Sequence, residues 1–512
     1  MMQRRVGGVF ITSRGRRDGI HIVMDKKLRQ VMRRSLVSLI LGCALTAASV
    51  LFATHGRVGA LHTPSAAGRV AGIVHHVAPG GACGGVDPCY AAVQAAVDAA
   101  GEGDEIRVAG GTYTWAGSEV LRVEKSVTIR GGYTVTNWLD AAPNVNLTIL
   151  DGEAERPVIE IVDYVDPRGD VTVTIEGLCI VRGEALWGGG VYVADAAVTL
   201  HNNWIVDNRA QLGGGLYADT HALTLTRNVI QDNQATTGGF EAYGGGVYVR
   251  DCDRATLTDN RVISNTVQAL TGRGAGLYLR RSSSVLTGNV IRANEASVMG
   301  EGGGLYLDTS TAALDRNTIA DNVALERGGG LYLTGSAAVL TNTLIVENLA
   351  NDLGSGLFAA ASSQSELIHT TLARNRGVVG SGLSLSDGSQ AVLTNTILLS
   401  HSVGIVISEG STATLAATLW GTDTWANETD WSGSGVVITG AVSSNYRALP
   451  AFVAPDEGDY HLTESSGAVD KGLDTAVTVD IDGNLRPIGD ASDLGADEWG
   501  AFVRLPVVFR AR

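Results

Sequence analysis

Apolar and polar residues alternate in short runs along most of this chain, and the runs recur. Ala222-Leu223-Thr224-Leu225-Thr226 is representative. Alternation over about four to eight positions describes a strand with one buried face. No repeat sustains the 3.6-residue spacing of a helix. Clusters of Gly, Asn, Asp and Thr punctuate the runs, which predicts about three short strands per repeat, joined by tight corners. The repeat reads GGGLYL at Gly302–Leu307 and at Gly328–Leu333, with variants starting at Gly188, Gly213, Gly244, Gly274, Gly354 and Gly380. Successive starts lie 25 to 31 residues apart. That period describes a solenoid, whose coils bury their apolar faces only against one another.

The glycines and the asparagines each have a physical job. Gly takes positive φ without penalty and admits close backbone approach, so a corner with Gly in each coil has no room for a Cβ. Downstream of each run stand an apolar residue, two variable residues and Asn: Ile205–Asn208, Ile230–Asn233, Val262–Asn265, Ile291–Asn294, Ile319–Asn322, Ile345–Asn348 and Leu372–Asn375. Asn tolerates the left-handed region at a turn, and stacked Asn side chains hydrogen-bond from coil to coil. Within the phrase, period-2 geometry sends Leu305 and Leu307 inward and Tyr306 outward. The same reasoning puts Tyr192, Tyr217, Tyr248, Tyr278, Tyr332 and Phe358 outside. Such an aromatic ladder either binds sugar rings or a partner, or stacks on itself and protects a flat sheet.

Around the repeats the pattern changes. Residues 1–60 read as a basic leader, in which Met32-Arg33-Arg34 precedes the uncharged run Ser35–Ala53. That is the n-region and h-region of a secretory signal, or a membrane anchor where it is not cleaved. Residues 61–82 read as a linker, 83–415 as the β solenoid, 416–498 as terminal coils with a C-terminal module, and 499–512 as a tail. Asp87-Pro88 predicts a helix start, with Asp as N-cap and Pro at the first position. Tyr90, Val93 and Val97 would share one face of that helix and Gly101 would end it, giving a cap for the first coil.

Charge and cysteine usage narrow the class. The first 60 residues hold 11 Lys and Arg against 2 Asp and Glu, which leaves −24 on the remainder of a chain whose total is −15. An acidic body disfavours nucleic acid and anionic membrane surfaces as partners. Of five Cys, Cys83 and Cys89 are close enough to pair in a small loop, which suits an oxidising compartment. Cys179 and Cys252 lie coils apart and are expected as buried thiols. No cofactor is required by these patterns, and the molecule is expected to be a monomer.

Tyr90–Tyr113 (YAAVQAAVDAAGEGDEIRVAGGTY), with Gly131-Gly132-Tyr133 and Asn137-Trp138 after it, resembles the N-terminal cap and first coil of pectin-lyase-like right-handed parallel β-helix proteins. The resemblance implies an all-β, right-handed, single-stranded parallel β-helix of roughly thirteen coils with a short capping helix. The central repeats are similar to the GGA[ILV] and FxxN motifs of polymorphic outer-membrane proteins, with Gly often in third position and Ile or Leu replacing Phe. The series Pro450–Val453, Gly458–Leu462, Val469–Gly472, Asp480–Asn484 and Asp493–Ala496 resembles the choice-of-anchor module of bacterial surface β-helices. That module is not catalytic.

The fold resemblance implies one enzyme class, polysaccharide lyases and glycoside hydrolases acting on acidic polysaccharide with paired carboxylates on neighbouring coils. The Asn-Thr-Asp, Asp-Asp and Gly-His-Gly motifs of the polygalacturonase group do not occur. Asp251, Asp253 and Asp259, and Asp163, Asp166 and Asp170, fall in turn-like segments. Arg280 and Arg281 have no repeating acidic set beside them, and Arg168-Gly169-Asp170 is a lone tripeptide. Asp480, Asp482 and Asn484 place oxygen ligands at alternate positions, as Ca²⁺ loops do, without the later bidentate Glu of an EF-hand, so the stretch is either a Ca²⁺ site or a hydrogen-bonded turn of the C-terminal module. Trp420, Trp425 and Trp431 are ligand contacts or local packing. The expected function is therefore an exported surface or extracellular protein, acting in adhesion, glycan binding or envelope structure without catalysis. Its partners would be carbohydrate or surface proteins, and it would meet a membrane only through an uncleaved N-terminal segment.

Overall fold

A computed structural model describes residues 5–6, 9–10, 72–164, 171–236, 241–440 and 445–500. The chain divides into two compact units, Met1–Val70 and Ala71–Arg512. In the first, Arg5–Val6 pairs antiparallel with Val9–Phe10. The signal segment, the Arg168-Gly169-Asp170 tripeptide and the tail beyond residue 500 lie outside the described residues.

The second unit is a right-handed parallel β-helix of about 13 turns. The strands that carry the glycine phrase form one 12-stranded sheet, from Leu121–Val123 to Thr429–Gly433. A 26-stranded sheet collects the other two main strands of each coil, and a short ladder runs from Arg209–Ala210 to Leu349–Ala350. Register never slips within the phrase: Leu277 pairs with Leu305, Tyr278 with Tyr306 and Leu279 with Leu307. Inward positions therefore stack like on like. Leu277, Leu305 and Leu331 form one fully buried row, Leu257, Leu314 and Leu340 a second, and Ile230, Ile291 and Ile319 a third. Identical shapes in line pack without voids, and each buried Leu contributes about 1.5–3 kcal/mol.

Polar ladders mark the corners of every coil. Asn208, Asn233, Asn265, Asn294, Asn322, Asn348 and Asn375 point inward and are buried. Each up to Asn348 donates its Nδ2–H to the Oδ1 of the next, as from Asn233 to Asn265 at 3.0 Å, and Asn375 donates to His401 instead. The left-handed residue is not the Asn but the one before it: Asp207 has φ 56°, Asp232 53°, Ser264 55° and Asp321 54°. This corrects the turn role expected for Asn. The outward residue bends the chain, and Asn then reaches the backbone of the preceding coil. A second ladder, Asn203, Asn228, Asn260, Asn289 and Asn317, follows the same rule at another corner. A Ser row, Ser282, Ser310, Ser336, Ser363 and Ser389, serves a third, each Oγ accepting the backbone N–H of the coil before.

Two glycines of each phrase are required by this packing. The first is left-handed, as at Gly302 with φ 66°. The third faces the Asn ladder. A Cβ on Gly304 would lie 2.6 Å from the Gly330 carbonyl and 2.9 Å from Asn322 Nδ2. Both neighbours are locked by their own hydrogen bonds, so Gly304→Ala is expected to destabilise by about 1–3 kcal/mol through overpacking. Thermal unfolding against Thr311→Ala, an exposed change on the following strand, checks this.

The N-terminal cap differs from expectation. The helix runs Val93–Ala99 with Ala92 as its N-cap, and Val93, Ala96 and Val97 are its buried face. Cys89–Tyr90 is a strand instead. The Pro88 carbonyl accepts from His76 N and that of Tyr90 from Ala78 N, so backbone pairing claims these residues before a helix turn does. Val74–Val77, inside the stretch expected as a linker, is a strand paired with Asp104–Ala109. Cys83 and Cys89 form a disulfide, with Cα atoms 5.9 Å apart. Cys179 and Cys252 are buried thiols.

The C-terminal segment does not close the end of the solenoid. After the last paired strands, residues 449–499 double back along one side. Phe452, Tyr460, Leu462, Ala468 and Leu494 cover Ala320, Val346, Ala373, Leu399 and Leu419. Corner side chains turn from solvent to this strap. Asn342 donates to Val479 O, His369 bonds Asp493 O and Thr475, and Asn395 bonds Leu473 at both its N and its O. Inside the strap Arg486 and Glu498 form a fully buried ion pair at 2.8 Å.

Candidate functional site

The aromatic ladder exists as an outward row, each ring touching the next at 4.7–5.5 Å between centroids from Tyr192 to Phe358, in stacked, tilted and edge-on pairs. It is not open to a partner. Tyr217, Tyr248, Tyr278, Tyr306, Tyr332 and Phe358 are all buried, in a cluster of their own outside the coil core. The left-handed first glycine folds the preceding residue back over the rings. Those residues are Trp187, Leu212, Tyr243, Arg273, Glu301, Arg327 and Leu353. Arg273 lies 5.6 Å from the Tyr306 ring and Arg327 5.4 Å from that of Phe358. Tyr243 stacks on Tyr278 at 5.1 Å. Burial pushes the Tyr217 hydroxyl up to about 12, as expected of a ring removed from water. Of the two alternatives for these seven rings, burial under a second layer favours mutual stacking over binding for all but the first, Tyr192.

The cover ends at the first ring. Tyr192 is only partly buried, and Trp187 stacks on Tyr192 at 6.2 Å and on Tyr217 at 6.0 Å while keeping 45% of its own surface exposed. Glu160 pairs in register with Tyr192 on one side and with Arg122 on the other, so the row turns from aromatic to charged. Arg122 donates to Tyr164 Oη at 2.8 Å and lies 3.7 Å from Glu160. Burial holds the Glu160 carboxyl above its ordinary range, against the pull of Arg122. Trp187, Tyr192, Glu160, Arg122 and Tyr164 form an exposed platform of rings beside hydrogen-bonding groups.

The other acidic candidates resolve into turns and pairs. Asp251 and Asp259 are left-handed corner residues. Arg281 clamps Asp251 at 2.5 Å and holds its carboxyl low, and Arg280 reaches Asp308 on the next coil at 3.4 Å. Asp207 and Asp232 occupy one corner of adjacent coils beside Arg209, over a depression of about 350 Å³. Desolvation and then the charge of Asp232 hold the Asp207 carboxyl above its usual range. Of the three tryptophans, Trp420 is core, Trp425 packs under Arg374 at 4.4 Å, and Trp431 is exposed at the last coil.

The expected Ca²⁺ loop does not converge. Asp480 is buried, and its oxygens accept from Asp482 N, Asn484 N, Asn484 Nδ2 and Glu498 N. It caps a turn, and Asn484 spends its side chain on that cap. Asp482 alone points elsewhere, toward His461 and Asp497, whose ligand atoms and its own all lie within 4.8 Å of one another. Sequence spacing missed this trio because the fold of the strap, not local order, assembles it.

A family model described as "Right handed beta helix region" matches residues 164–344 and 275–419. No curated protein matches the chain.

Proposed function

Because the chain belongs to the right handed beta helix region family, whose two matches together cover residues 164–419, we propose that it is an exported, non-enzymatic β-helix that binds neutral glycan at the Trp187 platform. The observation that carries this is Trp187 itself. It is the one member of the covering row with its ring half open, and it is backed by Tyr192 and Tyr217, so its orientation is fixed before any ligand arrives. A sugar ring stacks on such a face, and Glu160, Arg122 and Tyr164 supply hydrogen-bond partners for hydroxyl groups. The acidic body repels polyanions, which favours a neutral chain. The leader and the Cys83–Cys89 disulfide support export to the cell surface or beyond, as do the choice-of-anchor and polymorphic-protein resemblances.

Trp187→Ala is expected to weaken glycan retention about fivefold or more, taking the about 1–3 kcal/mol of a base stacked on an aromatic side chain as the analogue. Tyr278→Phe, under the cover, should leave it unchanged. Affinity electrophoresis in gels cast with neutral polysaccharides measures both; equal retention by all three proteins sinks the reading.

A second reading rests on Asp207 and Asp232. Two carboxylates on adjacent coils beside Arg209 are the arrangement by which a glycoside hydrolase or a polysaccharide lyase would act on acidic polysaccharide. Asp207→Asn would then abolish product formation.

A further inference from the structure

The cleft beside the strap, with a volume of about 470 Å³, is walled by the solenoid through Asp259, Arg316 and Thr318 and by the strap through His461, Asp482 and Asp497. We propose that His461, Asp482 and Asp497 bind one divalent transition-metal ion there, Zn²⁺ in preference to Ca²⁺.

Three features point to a ligand. The donor atoms lie within 4.8 Å of one another. An ion with bonds of about 2.0–2.2 Å needs its donors about 3–4.4 Å apart, so small shifts close the site, the Nε2–Asp482 contact of 2.7 Å widening as the widest pair draws in. Asp497 is 7% exposed, yet only its Oδ2 has a donor, the Leu462 N–H at 2.6 Å. No hydrogen bond from the described residues reaches its other oxygen, and Asp497 lines the cleft. A cation supplies what is missing. Third, His461 has its second ring nitrogen held by a carboxylate: Nδ1 lies 2.5 Å from Asp459 Oδ1, while Nε2 lies 2.7 Å from Asp482 Oδ2. Asp459 is not one of the three donors. It orients the ring and holds the proton on Nδ1 when Nε2 gives up its own to the metal, as carboxylates behind metal-binding histidines do.

On binding, the ion takes the place of the proton between Nε2 and Asp482, and that proton leaves to solvent. One imidazole with two monodentate carboxylates suits Zn²⁺ or Mn²⁺, whereas Ca²⁺ asks for six to eight oxygens. Water in the cleft completes the shell. The ion would join the strand Asp459–Leu462, the turn at Asp482 and the segment at Asp497, and so fasten the strap within itself.

The test uses the tag-free chain, stripped with chelator and dialysed against Zn²⁺, Mn²⁺ or Ca²⁺, with bound metal measured by elemental analysis and unfolding followed by differential scanning fluorimetry. The expected result is one Zn²⁺ per chain, a raised unfolding temperature, and about tenfold or greater loss of affinity in both His461→Gln and Asp497→Asn. Asparagine at 497 still accepts the Leu462 N–H, so that variant keeps its fold. Absence of stoichiometric Zn²⁺ overturns the proposal, as does binding that both variants retain. A Ca²⁺ response equal to that of Zn²⁺ overturns the nitrogen donor.

Discussion

Replacing Asn265 with Ala is expected to lower stability by on the order of 3–6 kcal/mol, about the cost of leaving several buried polar groups without partners. Asn265 donates from Nδ2 to Ile230 O at 2.9 Å and to Asn294 Oδ1 at 3.0 Å. Its Oδ1 accepts from both the backbone N and the Nδ2 of Asn233. Alanine therefore strands two donors on one coil and a carbonyl on the same coil, and leaves a hole where the amide stood. Because each coil touches only its neighbours, the loss should be local first. Hydrogen exchange is expected to rise in the coils around 230 and 294 before those near 360. Gln268→Ala, exposed on the same coil, should stay within about 0.5 kcal/mol. Denaturant unfolding with exchange mass spectrometry separates the two outcomes.

The same ladder makes the molecule acid-sensitive at one position. At the end of the Asn row the residue is His401. Its Nε2 accepts from Asn375 Nδ2 at 3.2 Å, and its Nδ1 donates to Asn427 Oδ1 at 3.1 Å. The ladder thus demands a neutral ring, since a proton on Nε2 would face the amide donor of Asn375. Burial drives the His401 pKa down to about 4. The folded pKa lies below the unfolded value of about 6.5. The unfolded chain then binds the extra proton in between, so this contribution is complete above about pH 6.5 and is lost as pH falls toward 4. The loss at pH 4 is expected to be about 3 kcal/mol. His401→Asn restores the residue used by the other coils and should remove that part of the acid sensitivity. His369 shares the direction, with a pKa lowered to about 3 by burial and by Arg486, so its contribution should persist in the His401 variant. Unfolding midpoints of both proteins across pH 4–7 decide the point.

What the chain discloses before folding follows from how each feature is encoded. Coil period, inward leucines and the Asn row are strictly periodic, and periodicity is legible. The second Asn ladder has its own signal, Thr226-Arg227-Asn228 through Asp315-Arg316-Asn317, but it passes into Thr343, Thr370 and Thr396 where the strap docks. A row that changes residue type does not announce itself. The aromatic ladder is readable as outward and not readable as sealed, because its covering row shares position but not chemistry: Trp187, Leu212, Tyr243, Arg273, Glu301, Arg327, Leu353. The helix start was misplaced because Asp-Pro is a local signal and the pairing of Tyr90 is a long-range one. For the candidate sites, spacing found Asp482 but gave it the wrong companions. His461 and Asp497 reach it only through the path of the strap.

Glycan held without being cut is the property proposed for this β-helix. Its most direct test is to incubate the purified chain with a panel of neutral and acidic polysaccharides and follow both retention and new reducing ends or unsaturated uronates. The account expects retention of neutral glycan that depends on Trp187, with no product from any member of the panel. Product that disappears in Asp207→Asn or Asp232→Asn would contradict it.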